Sequence, residues 1–443
     1  MDILNKPIKT FTFADVVSFC QEGHREGLQI DYKKDLPTSG LAKFFSAFSN
    51  TRGGVIIIGV EEDRMTGIPT AWDGINNNAQ SIERIHQWAS NVEPLPSYEV
   101  HATDEQGGKI FILVRIFEGD RTPYYVQNDP RIYIRTGSIT PSVDLASPDA
   151  VELLIKKKEK AELARNLYIR MSEDVYQAGL KRAERDRLRK IAIEKENYDK
   201  EKKKLEADIS GFDIKPYRSH YYSKELGSDA SIFTVVAQPF HPKEPVASPP
   251  ELKDKIIEIR DGDGTFPLDF PSVNPEPMLN GIMYFDWGEA DGEIRNEQFY
   301  STGLVRLSFD VLRTDNERND RIIYLVHLAS LLFAVLKATG NFYRMFGYQG
   351  GVKGFISLTN VEGVKLNDTI GRSLFPRDDK EGLLPSYELE FDVDTSLLND
   401  NKAFQDYFIK TVQDIYWMFG YAGLREETIK TYLKERGWLV NNE

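Results

Sequence analysis

The chain is poor in the residues that build covalent and metal staples. Cys20 is the single cysteine, so no intramolecular disulfide can form, and a cysteine-based zinc site is excluded with it. The six histidines, His24, His86, His101, His220, His241 and His327, are scattered, with no pair at metal-ligand spacing. No phosphate-binding P-loop is present, because Gly107-Gly108-Lys109 lacks both the spacing and the following Ser or Thr. No apolar run approaches the length of a membrane span, and Met1–Lys6 lacks the apolar centre of a signal peptide. These absences predict a cytoplasmic protein without a membrane partner. Positive charge is also scarce: the net charge is -13 over 443 residues, and residues 1–150 hold fourteen Lys or Arg against twenty Asp or Glu. Binding of nucleic acid therefore requires a local basic surface, a metal that neutralises acids, or a second subunit.

What is present centres on residues 26–67. Leu28, Ile30 and Tyr32 alternate with Gln29, Asp31 and Lys33, the period of a half-buried strand, which places Asp31 and Lys33 together on the face turned from the core. A helix is predicted over 41–50, with Thr38-Ser39 as its cap and Leu41, Phe44, Phe45 and Phe48 at helical spacing. Gly53-Gly54 allow a sharp return. Val55–Val60 is an aliphatic, largely β-branched run, the composition of a strand covered on both faces. Three acids, Glu61, Glu62 and Asp63, follow it. Converging carboxylates with a nearby lysine form the inventory of a metal-dependent phosphodiesterase. Spacing alone also allows Glu26 and Asp31 to be rim residues and Glu61–Asp63 a strand end. Glu26 has the wrong parity to share a face with Asp31 unless Gly27 kinks the strand.

The ordered motifs Glu26/Asp31/Lys33, Ala47–Gly54, Gly59–Glu62 and Ile132-Tyr133-Ile134-Arg135-Thr136-Gly137-Ser138 resemble the AlbA-like (AlbA_2) domain of the Schlafen family over roughly the first third of the chain. In the ribonucleases of that family three acids bind a divalent metal and cleave transfer or ribosomal RNA. The resemblance puts them on Glu26, Asp31 and Glu62, with Mg²⁺ or Mn²⁺ as cofactor and Lys33 steadying the phosphate. Asp31 stands where the family has Glu, and Glu62 where it has Asp; the carboxylates remain and their reach changes by one methylene. The zinc-binding residues of the animal proteins have no counterpart. The resemblance implies a metal-dependent endoribonuclease acting on tRNA-like RNA, with a role in bacterial antiviral defence. The alternative is a non-catalytic DNA- or RNA-binding regulator on the same domain, and a weaker third option is an assembly protein in which that domain only dimerises. Arg25, Lys34, Arg52, Arg131, Arg135 and Ser138 are the candidate nucleic-acid contacts.

Beyond residue 147 the composition changes. Residues 149–207 hold almost no Gly or Pro, and Ala164, Leu167, Tyr168, Met171, Val175 and Ala178 recur at three- and four-residue steps. This predicts a long helix or helical hairpin, bent at Gly179, whose stripe pairs with another helix in the same or a second subunit. Most of its charge is expected to be a solvated face. Strands near 231–237, 281–287, 303–309, 354–358 and 387–393, an apolar core helix over 322–336, and helices over 404–419 and 426–438 complete an α+β chain. The predicted organisation is 1–147 AlbA-like domain, 148–208 helical connector, and 209–443 sensor or partner-binding domain that receives a trigger ligand or protein. One copy of the Gly-Gly motif, where animal Schlafens use two lobes, predicts a homo-oligomer of at least two chains.

Overall fold

The computed structural model describes residues 3–4, 6–78, 80–137, 143–208, 216–242, 248–261, 275–289, 292–315, 320–367, 380–420 and 425–435. The chain opens with a 3-10 turn, Ile8–Thr10, and helix α1, Phe13–Gln21. Thr10–Phe13 alternates threonine with phenylalanine, a strand-like pattern, yet it forms a helix start. Thr12 supplies the reason: its hydroxyl accepts from the Asp15 amide while the Asp15 carboxylate accepts from the Thr12 amide, a reciprocal cap that outweighs the β-propensity of the phenylalanines.

Strand β1, Ile30–Lys33, is followed by α2, Ala42–Asn50, and β2, Gly54–Ile58. Thr38 and Ser39 do not cap α2. Pro37–Gly40 forms a turn, and Leu41 stands at the helix start without a side-chain cap. A two-residue strand β3, Glu61–Glu62, helix α3, Gln80–Ser90, and strands β4, Tyr98–Ala102, and β5, Ile112–Ile116, follow. The main sheet has the order β1-β2-β5-β4, with β1 and β2 parallel and the others antiparallel. Both of its faces are covered. Ile56, Ile58, Val114 and Ile116 pack with Phe45 and Phe48 of α2 and Ile85 of α3, while Tyr32, Val55, Ile57 and Leu113 pack with Val16, Phe19 and Cys20 of α1. Hence every residue of β2 is buried, as its aliphatic composition requires. A smaller sheet contains β6, Asp129–Arg135, which lies against α2.

Helix α4 runs unbroken from Pro148 to Asp208, so the hairpin alternative does not occur. Gly179 is not a bend but a point of close approach, because a Cβ there would lie 2.5 Å from the Phe285 ring. Downstream, β7, Ile232–Pro239, helix α5, Pro249–Asp261, and β8, β9, β10 and β11 (Glu276–Met278, Gly281–Trp287, Ile294–Tyr300, Val305–Asp310) precede α6, Leu325–Met345. Strands β12, Gly351–Thr359, and β13, Ser386–Asp394, and helices α7, Asn401–Met418, and α8, Glu426–Glu435, end the described chain. An antiparallel seven-stranded sheet, β8-β9-β10-β11-β7-β12-β13, forms the frame. Its Phe233/Val235/Ala237 face packs on α5, α6, α7 and α8. Its other face meets α4 through Tyr168, Ile169 and Tyr176. Of the expected stripe only Tyr168 joins these contacts, while Leu167 and Ala178 are exposed, so α4 is seated on a sheet of its own chain by a face that the stripe did not mark. Helix α6 starts at Leu325, later than expected, since Asp320–Tyr324 is a strand. Its 21 residues reach the length and apolarity of a membrane span, and two thirds of the relevant window is buried in this core.

Candidate acidic site

The approach of Glu26 to Asp31 begins with a turn. Gly27 N donates to Ile30 O at 3.1 Å, so the chain folds back before β1 starts and the parity obstacle disappears. Glu26 N donates to Gly67 O at 2.8 Å, which ties this turn to the loop beyond β3. Gly59, at φ 109°, redirects the chain after β2; a Cβ there would lie 2.8 Å from the Gly74 Cα. The three acids after β2 then separate. Glu61 is exposed and accepts from Lys34 Nζ at 2.8 Å, Asp63 caps the turn to Gly67 by accepting from the Met65 and Thr66 amides, and Glu62 turns inward to Glu26.

Asp31 is fully buried, and this corrects the expectation of an outward face. In the parallel register Asp31 pairs with Ile56, on the α2 side, and Tyr32 with Ile57, on the α1 side. A sheet with two covered faces leaves no outward side, so the Asp31 charge must be met internally. Arg135, from the end of β6, meets it: Nη1 donates to Asp31 Oδ2 at 2.6 Å, and Nη2 donates to Ile30 O at 3.1 Å and to Gly27 O. Lys33 Nζ binds the other oxygen, Oδ1. The Arg135 guanidinium lies 4.6 Å over the Phe48 ring and Lys33 Nζ 4.7 Å over Phe44, so α2 roofs both cations.

The three carboxyls share hydrogen bonds, Glu26 standing between Asp31 and Glu62. Glu26 Oε1 lies 3.6 Å from Arg135 Nη2, beyond hydrogen-bond length. Glu26 Oε1 and Glu62 Oε2 are both buried without a hydrogen-bond partner. Burial, reinforced by the neighbouring Asp31 and Glu62 charges, pushes Glu26 up to about 9. Burial raises Glu62 as well. Burial would raise Asp31 too, but the Lys33 and Arg135 charges more than offset it and hold Asp31 below the usual carboxylate range. At neutral pH the cluster is thus an ionised Asp31, clamped by two cations, beside a protonated Glu26. Among the described residues no group of three or more His, Cys, Asp or Glu is set out as ligands of one ion. Glu26 and Glu62, with their orphaned oxygens, fit a hard cation, whereas both oxygens of Asp31 are taken.

Asn50 carries a role the sequence did not disclose. Its side chain accepts from Tyr124 N at 2.7 Å and donates to Tyr124 O at 2.8 Å and Tyr133 O at 2.9 Å. Thr51 Oγ1 accepts from Arg135 N at 3.0 Å. The Asn50-Thr51 pair therefore fixes the strand that delivers Arg135. Gly54 permits the close seating of β1 on β2, since a Cβ there would lie 2.3 Å from Gln29 O.

Of the expected nucleic-acid contacts, Arg25, Lys34, Arg52 and Arg131 are exposed. Lys34 is held by Glu61, and Arg131 by both oxygens of Asp129, at 2.6 and 2.7 Å. Arg135 is buried and belongs to the acid cluster instead. Arg52 stands on the wall of a separate cavity. Ser138 lies outside the described residues.

No curated protein matches the chain. The solution structure of the N-terminal domain of a putative ATP-dependent DNA helicase RecG-related protein from Nitrosomonas europaea aligns at 21% identity, covering 26% of this chain and 81% of that one, with a TM-score of 0.22. The family model for Schlafen, AlbA_2 matches residues 26–144, within the N-terminal third of the chain, and that stretch contains Glu26, Asp31, Glu62 and Arg135.

Proposed function

We propose that the N-terminal third is a divalent-metal-dependent endoribonuclease acting on structured RNA of the tRNA kind. The observation that carries this reading is the meeting of Glu26, Asp31 and Glu62 with two buried carboxylate oxygens left unpaired. Buried polar atoms without partners are rare and call for an explanation. Glu26 Oε1 and Glu62 Oε2 would hold Mg²⁺ or Mn²⁺, hard cations that prefer such oxygens. Such an ion polarises a phosphate and activates water. Asp31 is assigned the task of positioning Lys33, whose Nζ it binds. Lys33, at 22% side-chain exposure, is the cation of the pair that reaches solvent and would steady a non-bridging phosphate oxygen. Arg25, Lys34 and Arg131 would guide the RNA backbone.

A second reading, a nucleic-acid-binding regulator without catalysis, draws on the closed ion network: both Asp31 oxygens already have cationic partners. The two readings part on one experiment. Purified full-length protein is incubated with total tRNA or a DNA duplex, with Mn²⁺, Mg²⁺ or EDTA, beside the Glu62→Gln and Lys33→Ala proteins. The nuclease gives discrete metal-dependent RNA fragments that both variants lose while still binding RNA. Salt-dependent binding with no cleavage under any metal favours the regulator. We further propose that the chain works as a homo-oligomer, which light scattering at working concentration tests; a monomer would overturn that part.

A further inference from the structure

A cavity of about 460 Å³ opens between the N-terminal layers and the C-terminal sheet, apart from the acid cluster, since Glu26, Asp31 and Glu62 are not on its wall. One side is built by Gln29, Arg52–Val55 and Arg115–Glu118, the other by Pro239–His241 and Phe346–Gly351. Two arginines, Arg52 and Arg115, line it together with four aromatic residues, Phe117, Phe240, Phe346 and Tyr348. Arg115 is buried and fixed in place, its Nη2 donating to Ile3 O at 2.6 Å and Lys6 O at 2.7 Å. Arg52, by contrast, is exposed. The carboxylate on the wall, Glu118, is met by Lys157 Nζ. In a chain of net charge -13 this wall is locally positive.

We propose that this cavity binds a small molecule that joins a planar ring to a phosphate, a ligand of the nucleotide class. Guanidinium forks match phosphate oxygens. Aromatic walls take a flat ring by stacking. A cavity of this volume lies within the range of small-molecule sites, roughly 300–1,000 Å³. The position gives the ligand a consequence. Gln29 Nε2 donates to Arg52 O at 3.3 Å, and Gln29 O accepts from Val55 N at 2.8 Å, so the wall is continuous with the strand that carries Asp31. Because the walls come from both ends of the chain, occupancy would also clamp the C-terminal sheet onto the N-terminal layers.

Titration calorimetry on the full chain tests this, with AMP, GMP and ATP as probes, inorganic phosphate as the control, and Arg52→Ala and Arg52→Glu as variants. Arg52 is exposed, so both variants should fold, and unchanged melting without ligand verifies it. A nucleoside phosphate is expected to bind one per chain, Arg52→Ala to weaken it about tenfold as one charge-assisted contact is lost, Arg52→Glu to abolish it, and phosphate alone to bind at least about tenfold more weakly. Absence of binding at millimolar nucleotide, equal binding of phosphate, or indifference to Arg52→Glu would each overturn the site. None of these readouts depends on RNA cleavage, so the nuclease reading stands or falls separately.

Discussion

Arg135 Nη1 sits 2.6 Å from Asp31 Oδ2, and neither side chain touches solvent. The two residues are 104 positions apart, and their pairing joins the end of β6 to the first strand of the main sheet. Removing one partner of a buried pair strands the other charge, at a cost of about 3–5 kcal/mol. Arg135→Ala should therefore lower the stability of the N-terminal third by that amount, read from urea unfolding. Arg135→Ala, Asp31→Asn together should recover much of the loss. A double variant as unstable as the single one would show that Arg135 acts through its carbonyl contacts, not through Asp31.

The raised Glu26 predicts a pH trend of definite sign. Its ordinary value is 4.5 and the folded value about 9. Between these limits the folded chain holds a proton that the unfolded chain releases, so this group makes stability fall as pH rises from about 4.5 toward about 9. Glu26→Gln, which keeps the neutral shape, should flatten that slope. At pH 8 it should be more stable than the parent, with the difference shrinking toward zero near pH 5. Chemical denaturation at three pH values in that interval checks it, and a variant less stable at pH 8 would refute the protonated Glu26.

Much of this architecture was open to reading in the residues, and the exceptions have a common cause. The buried β2 strand, α2 and the Gly53-Gly54 return followed from β-branched composition, helical spacing and glycine freedom. The set Glu26, Asp31, Glu62 and Lys33 was recognisable from ordered motifs. The burial of Asp31 was not, because alternation along β1 records which residues share a face and says nothing of what later covers it. That cover is α2 with Arg135, and the latter arrives from a strand at the far end of the same region. Asn50 was hidden for the same reason: its partners, Tyr124 and Tyr133, lie 74 and 83 positions away. The spacing on α4 gave a helix but not its seated face: Ile169 and Tyr176, which meet the sheet, lie beside the stripe.

Asn50→Ala tests the clamp directly. It would leave Tyr124 N and Tyr133 O without their side-chain partner in a buried setting, while Tyr124 O keeps the Ser46 hydroxyl at 2.9 Å. At about 1–3 kcal/mol for each unsatisfied group, the total loss should be about 2–6 kcal/mol. Hydrogen exchange should report the damage as faster exchange along 124–135 before any change in the C-terminal sheet. Uniform loosening of both regions would mean that Asn50 supports the chain globally.

Gly179 offers a test of how α4 is seated. Replacement by Leu gains up to about 1 kcal/mol of helix propensity, but the side chain would meet the Phe285 ring, 2.5 Å from the position of the first added carbon. Overpacking costs about 1–3 kcal/mol, so Gly179→Leu should destabilise on balance. Its signature should be loss of protection in β9, which carries Phe285, with the N-terminal sheet unchanged. A stabilised variant would show that α4 leaves the sheet readily.

The acid cluster also dictates how a cation would have to enter. A carboxyl binds a hard metal ion only when ionised, and Glu26 is protonated at neutral pH because burial and the adjacent Asp31 and Glu62 hold its proton. Loading Mn²⁺ onto Glu26 Oε1 at pH 7.5 must then release about one proton per ion. Calorimetric titration in two buffers of unequal ionisation enthalpy measures that number. Glu26→Gln should abolish both the proton release and the binding, since the amide keeps the shape but not the charge. Asp31→Asn should weaken binding only indirectly, because its oxygens are engaged by Lys33 and Arg135. Binding with no proton released would place the ion away from Glu26, and would shift the metal-holding role to Glu62 and the groups at the mouth of the cluster.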